Sequence, residues 1–208
     1  MAAKKRGPLP WLPPAVLVGC LVPAASMIMR ARTGGLGANP IAEALNELGL
    51  TALILLIASL AATPLKTLFG WIWPIRVRRL VGLLAFGYAV LHVSVYVALD
   101  QSFAWRDVLA DVIKRKFILV GFAAFTLLVP LALTSTDRAV RRLGYVTWKR
   151  VHYLVYPAAM LVAVHFIWRV KKDLTEPLVY AAILGLLLLL RVVWAMRKRP
   201  ALRTSAAT

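Results

Sequence analysis

The three histidines of this 208-residue chain stand out because each lies in, or at the edge of, a strongly apolar segment. His92 lies within RRLVGLLAFGYAVLHVSVYVALD, and His152 and His165 lie within WKRVHYLVYPAAMLVAVHFIW. Imidazole is a ligand for iron, copper and zinc, and ionisable residues inside a bilayer usually mark a functional site. The residue types and their surroundings therefore predict a metal or cofactor site buried among apolar helices.

Depth along the predicted helices indicates which histidines can share one cofactor. If one span begins near Leu80, another near Val151 and both run outward, His92 and His165 lie about 18 and about 21 Å from the inner end. His152 lies at the inner end, about 20 Å from His165 along an unbroken helix, which is too far for both to bind one ion. The predicted pair is therefore His92 and His165, with His152 at a separate inner site.

Haem is the cofactor that best suits two imidazoles at one depth on different helices. Its iron takes an axial ligand from each face, and its macrocycle is large and apolar. Small residues near the histidines would let a flat ring approach the backbone, and aromatic residues could line its edge. The small residues are Gly82, Gly87, Ala89, Ala158, Ala159 and Ala163, and the aromatic ones are Phe86, Tyr88, Phe166 and Trp168.

Other interpretations of the histidines fit less well. A zinc or copper site needs third and fourth ligands, but no carboxylate lies in the middle of an apolar run. The single cysteine, Cys20, excludes a disulfide framework and a cysteine-ligated iron–sulfur cluster. The remaining alternative is that a membrane histidine serves only as a hydrogen-bonding group between helices.

The elements that must position these residues are six apolar runs. The chain is 61% hydrophobic with a mean hydropathy of +0.77, values typical of a polytopic membrane protein. We predict one all-α domain over residues 1–208, with its core at 47–195, that forms a six-helix transmembrane bundle. The predicted spans are 12–29, 47–65, 80–99, 117–134, 151–168 and 177–195.

The distribution of positive charge predicts the orientation. The 26 Lys and Arg residues fall between the apolar runs, and the segments on the side of the N-terminus hold about twice as many as the opposite side. The positive-inside rule therefore predicts that both termini are cytoplasmic. The net charge of +18 is explained in this way, and we do not expect nucleic-acid binding. A signal peptide cleaved near Ser26 would leave five spans, but the charge bias favours a retained first helix.

Arginines in the predicted inner loops could have a second use. The loops WIWPIRVRR and STDRAVRRLGYVTWKR mainly carry the orientation signal, but arginine also matches carboxylate and phosphate in geometry. We predict that Arg78, Arg79, Arg142 and Arg150 hold haem propionates or a flavin phosphate.

Two long segments carry a family resemblance. RRLVGLLAFGYAVLHVSVY and IKRKFILVGFAAFTLLVPLALTSTDRAVRRLGYVTWKRVHYLVYPAAMLVAVHFIW closely resemble the haem-binding membrane subunits of bacterial periplasmic methionine-sulfoxide reductase systems. Those subunits belong to the ferric-reductase-like transmembrane superfamily. The resemblance covers roughly residues 75–195, and His92, His152 and His165 match the family's haem-ligand positions.

The resemblance implies a function in electron transfer across the bacterial inner membrane. In the family, a cytoplasmic NAD(P)H flavin reductase or the quinone pool supplies electrons. The membrane subunit carries b-type haem and can hold FMN. The electrons leave to a periplasmic molybdenum-containing subunit that reduces methionine sulfoxide in oxidised proteins.

The chain also departs from the wider superfamily. NADPH oxidases, which share the membrane domain, carry a second histidine in the third helix, whereas this chain has Arg78 and Arg79 in that neighbourhood. The resemblance therefore implies one haem or two: an inner centre would have His152 as its one histidine ligand, would use another ligand as well, or would give way to flavin. We find no GxGxxG motif and no molybdenum-binding domain, so we expect an electron-transfer subunit without a complete catalytic site. The alternatives are a quinol-oxidising cytochrome b, a metal-ion reductase, or a haem-free scaffold or transporter.

Overall fold

The computed structural model describes residues 9–204, and the side chains in this range except those at 195 and 197–204. Within these residues the chain forms nine α-helices and one π-helical segment, and no strand. The α-helices are α1 Leu12–Arg32, α2 Pro40–Phe69, α3 Trp73–Val95, α4 Trp105–Lys114, α5 Lys116–Leu133, α6 Asp137–Leu143, α7 Tyr145–His152, α8 Val155–Arg169 and α9 Thr175–Thr204, and the π-helical segment Tyr96–Asp100 continues α3.

Six helical stretches are long and apolar enough to cross a membrane, as predicted. They are Leu12–Arg32, Pro40–Phe69, Trp73–Asp100, Lys116–Leu133, Tyr145–Arg169 and Thr175–Trp194. Their outer faces carry exposed aliphatic side chains, such as Val18 at 65% and Leu189 at 59% exposure, which suit a lipid environment. The all-α, multi-pass prediction is therefore confirmed. The cytoplasmic placement of both termini stays a prediction, and residues 1–8, which include Lys4, Lys5 and Arg6, lie outside the described residues, as do 205–208.

Several helices extend beyond the predicted spans because capping residues, rather than hydropathy, set their ends. The Asn39 side chain accepts a hydrogen bond from the Ala42 N–H, and Pro40 occupies the first turn of α2. At the other end, Gly70 adopts a left-handed conformation with φ of 69°. Helix α2 consequently has 30 residues, whereas the predicted span covered only its apolar middle.

The predicted fifth span consists of two helices. Helix α7 ends at His152 and α8 begins at Val155, with a turn at Tyr153 and Leu154. Pro157 lies in the first turn of α8, where its missing N–H costs no helical hydrogen bond. The break places His152 and His165 on separate helices, so their relative orientation does not follow from a straight helix.

The packing of the bundle rests on two helix pairs. Helix α2 packs most extensively against α3, and α5 against α8. Leu48, Leu53, Leu56 and Leu60 of α2 are buried in the core. The stacked rings of Phe86 in α3 and Phe125 in α5, with centroids 5.7 Å apart, connect the two pairs. The four helices α2, α3, α5 and α8 therefore surround a common interior.

Arg191 joins three helices on the side of the bundle away from the α8–α9 loop. Pro64 has no N–H, so the Leu60 carbonyl in α2 lacks its helical donor. Arg191 Nη2 donates to that carbonyl at 2.6 Å, and Nη1 donates to the Tyr156 hydroxyl at 3.0 Å. This arginine therefore satisfies a backbone acceptor that a proline leaves free.

We expect Arg191→Leu to lower the free energy of unfolding by about 1–3 kcal/mol, because a buried acceptor would lose its donor. Thermal unfolding followed by circular dichroism in detergent measures this loss. The double variant Pro64→Ala/Arg191→Leu should recover part of it, because alanine, unlike proline, supplies a backbone N–H to the Leu60 carbonyl. An unchanged unfolding temperature in the single variant would contradict the proposed role.

Candidate functional site

His92 of α3 and His165 of α8 face each other inside the four-helix interior. Their ring centroids are 6.2 Å apart, and the ring planes are nearly perpendicular at 89°. The two histidines that were predicted to share one depth thus lie side by side. The pairing follows from the packing of the α2–α3 and α5–α8 pairs around one interior.

A backbone carbonyl from a neighbouring helix orients each of these imidazoles. His92 Nδ1 lies 2.9 Å from the Leu45 carbonyl oxygen, and His165 Nδ1 lies 2.7 Å from that of Phe117. Because a carbonyl only accepts, each Nδ1 carries the proton and donates, and each Nε2 keeps a free lone pair. A metal-ligating histidine commonly donates its other N–H to such an acceptor, which fixes the tautomer and the ring orientation.

The two histidines line a cavity of about 360 Å³ between α2, α3, α5 and α8. This volume lies in the range of small-molecule and cofactor sites, roughly 300–1,000 Å³. Of the residues predicted to surround the cofactor, Gly82, Phe86, Ala89 and Phe166 line the cavity. Six others do not line it, namely Gly87, Tyr88, Ala158, Ala159, Ala163 and Trp168.

Two glycines that the sequence analysis missed make room for the histidine rings. A Cβ atom at Gly49 would lie 3.2 Å from both Cε1 and Nδ1 of His92. A Cβ atom at Gly121 would lie 2.6 Å from His165 Nδ1, closer than real Cβ atoms approach other atoms. In the sequence each of them is only a glycine within an apolar span. Which helix packs against that glycine could not be predicted from the sequence.

The spacing of the histidine pair fits a metal ion bound between the rings. An imidazole nitrogen lies about 2.0 Å from a bound zinc ion, so two imidazoles on opposite sides of one such ion have ring centres roughly 6 Å apart. The observed centroid separation of 6.2 Å is compatible with an ion between the two rings. The apolar cavity beside the pair fits the macrocycle of a haem.

His152 lies apart from the histidine pair, at the end of α7. Its Nδ1 lies 3.1 Å from the Trp148 carbonyl, its Nε2 lies 3.5 Å from Ser135 Oγ, and its ring packs on Trp148 with centroids 4.0 Å apart. The described residues include no group of three or more His, Cys, Asp and Glu that could hold a metal ion. Among them no second histidine faces His152, in agreement with the departure noted in the sequence.

The four predicted inner arginines have different surroundings, and none lines the cavity. Arg78 is half-buried, lies 3.4 Å from Thr63 Oγ1 and interacts electrostatically with His152. Arg79 forms a salt bridge to Asp137 at 2.6 Å, and both side chains are largely exposed. Arg142 and Arg150 are exposed. Of the four, the structure brings Arg78 toward His152.

Similarity to known proteins agrees with this architecture. Residues 48–163 match the family model described as the ferric reductase like transmembrane component. The chain belongs to this family. The matched segment contains His92 and His152 and ends two residues before His165.

Within the ferric-reductase-like family, the chain has close relatives that extend over nearly its whole length. It is 54% identical to a protein of Rhodospirillum rubrum over 185 residues, which is 89% of each chain. It is 46% identical to one of Deinococcus radiodurans over 200 residues, 96% of this chain and 98% of the relative. Each relative is named as the haem-binding subunit of protein-methionine-sulfoxide reductase. The family resemblance seen in the sequence is therefore confirmed.

Proposed function

We propose that the chain binds haem b and carries electrons across the bacterial inner membrane to a methionine sulfoxide reductase. The observation that carries this proposal is the histidine pair. His92 and His165 lie at the spacing of a two-sided metal site, with both Nδ1 atoms held by backbone carbonyls. The names of the close relatives support haem as the ligand and the repair of oxidised methionine as the process served.

The residues of the site would prepare it for rapid electron transfer. A b-type haem bound here supplies a one-electron iron couple. The Nδ1 hydrogen bonds keep both rings in position, so little rearrangement accompanies a change of charge. Phe86, Phe125 and Leu56 give the cavity an apolar lining. The site would relay electrons without a substrate pocket of its own.

His152 and Arg78 support a second, inner redox site. His152 is half-buried, its ring packs on that of Trp148, and the cationic Arg78 acts on it electrostatically. In the chain His152 precedes His165 by 13 residues. This site would hold either a second haem with His152 as one ligand, or FMN with its phosphate on Arg78. Arg79, Arg142 and Arg150 have exposed side chains and would also be available to a haem propionate or a flavin phosphate at this inner site.

The proposed electron path runs from an electron donor on the inner side to an acceptor protein in the periplasm. A cytoplasmic NAD(P)H flavin reductase or the quinone pool would reduce the inner site, and a periplasmic molybdenum-containing subunit would accept electrons from the outer one. Both chain termini would then be cytoplasmic. Under this proposal the chain is an electron-transfer subunit of an oxidoreductase system.

The proposal is tested by purifying the protein in mild detergent and recording spectra with different electron donors. We expect b-type bands after dithionite, and reduction of the same bands by NADH together with a flavin reductase. Reoxidation on addition of the periplasmic reductase and a sulfoxide would complete the path. A colourless protein from cells with ample haem would overturn the proposal, and reduction by quinol alone would identify the quinone pool as the donor.

A further inference from the structure

The cavity beside the histidine pair has two chemically different ends. Toward the middle of α2, α3 and α5 it is lined by Leu53, Leu56, Ala85, Phe125 and Leu128, which we call the apolar floor. Beyond the histidines, where α3 ends and α5 begins, it is lined by Asn46, Tyr96, Asp100, Arg115 and Arg169, which we call the polar rim. A ligand that fills this cavity is therefore expected to be apolar at one edge and polar at the other.

Among the residues of the polar rim, Arg169 lies close in the chain to His165, one of the two proposed haem ligands. It follows His165 by four residues, so both lie on one face of α8, about 6 Å apart along its axis. Its Nη1 donates to the Asn46 side-chain oxygen. Asn46 in turn follows Leu45, whose carbonyl accepts from His92. The Arg169–Asn46 contact therefore joins α8 and α2 at the polar rim.

Of the two arginines in the polar rim, Arg169 is the one that contacts no carboxylate in the part of the chain that the structure describes. Arg115 pairs with Asp111 at 3.2 Å, and Asp100 accepts a hydrogen bond from the Gln101 amide at 2.9 Å. Among the described residues, Arg169 forms no salt bridge. Because the guanidinium has five N–H donors, its contact with Asn46 leaves donors free for an anion.

We propose that Arg169 binds a propionate carboxylate of the haem that His92 and His165 hold. The macrocycle would then lie with its apolar edge on the floor and its propionate edge at the rim. This inference rests on the proposed function. Asn46 acts as a positioning residue, because it holds the guanidinium over the cavity.

The test compares protohaem with its dimethyl ester, which lacks the two carboxylates. The full-length apoprotein, produced under haem limitation, is titrated with each compound in detergent, and the Soret band reports binding. We expect Arg169→Gln to weaken protohaem binding about tenfold, as expected for one charge-assisted hydrogen bond. Binding of the ester should be unchanged. Asn46→Ala should cause a smaller loss, also confined to protohaem.

Arg32→Gln is the matched control. Arg32 ends α1, is exposed and does not line the cavity, so its loss removes the same charge without touching the site. We expect both affinities to match those of the wild type. Equal weakening of protohaem and ester by Arg169→Gln, or no weakening of either, would overturn the assignment of the propionate. A wild-type protein that binds neither compound would instead overturn the proposed haem function.

Discussion

Replacing either His92 or His165 by alanine is expected to remove the low-spin b-type spectrum of the outer haem. Each substitution deletes one of the two proposed axial nitrogens, and the third histidine, His152, contacts Trp148 and Ser135 and does not line the cavity. Haem content should fall by more than about tenfold, since even changes around a ligand cost about 10- to 100-fold in metal affinity. Haem per polypeptide and the dithionite-reduced spectrum measure the loss.

His152→Ala serves as the control for this pair. It also removes an imidazole from the bundle, but its ring contacts Trp148 and Ser135 rather than the cavity. The outer haem should therefore keep its low-spin spectrum in this variant. If His92→Ala and His165→Ala both retained the full spectrum, the pair would not be the ligand set, whatever the behaviour of His152→Ala.

A single methyl group at Gly121 is expected to have an effect of similar size. The new Cβ would lie 2.6 Å from His165 Nδ1 and 2.8 Å from Cε1, so the ring must move. That movement disturbs the 2.7 Å hydrogen bond to the Phe117 carbonyl and displaces Nε2 from its position. Overpacking of this kind costs about 1–3 kcal/mol, which corresponds to roughly 5- to 150-fold in haem affinity.

Alanine substitutions at two further glycines serve as controls for this prediction, because the new methyl group meets less crowded surroundings there. Gly49→Ala places a Cβ 3.2 Å from the His92 ring and should reduce haem content less than Gly121→Ala. Gly87→Ala meets no atom within 4 Å and should leave haem unchanged. Because alanine favours helix over glycine by about 1 kcal/mol, a general loss of helix stability would not explain the effect. Equal haem content in the Gly121 and Gly87 variants would contradict the steric role of Gly121.

The depth of the histidines could be predicted from sequence because bilayer thickness fixes the length of an apolar run. Counting residues from the end of a span gives depth directly, and His92 and His165 do meet. The direction in which each side chain points could not be predicted in the same way. The fifth span breaks at Tyr153 and Leu154, so a count of about 100° per residue does not carry from His152 to His165.

Other parts of the site depend on which helices pack together. Gly121 matters because α5 packs on α8, and Gly49 matters because α2 packs on α3. The hydropathy of the sequence does not indicate which of these helices pack together. Arg169 is one of several basic residues in a predicted outer loop, and its place at the cavity mouth follows from its position one turn after His165. The salt bridge between Arg79 and Asp137, 58 residues away in the chain, could not be predicted from the sequence either, and the role of Arg79 at a cofactor stays a prediction.

The acceptors that orient the histidine pair have a consequence for how the protein can evolve. Leu45 and Phe117 act through their main-chain carbonyls, and every amino acid supplies the same carbonyl. Point mutations at these two positions therefore cannot delete the acceptor, so the tautomer of each ligand is inherited with the backbone. Divergent relatives would then adjust the potential of the proposed haem through the residues that line the cavity, while side-chain changes at positions 45 and 117 leave both carbonyl acceptors in place.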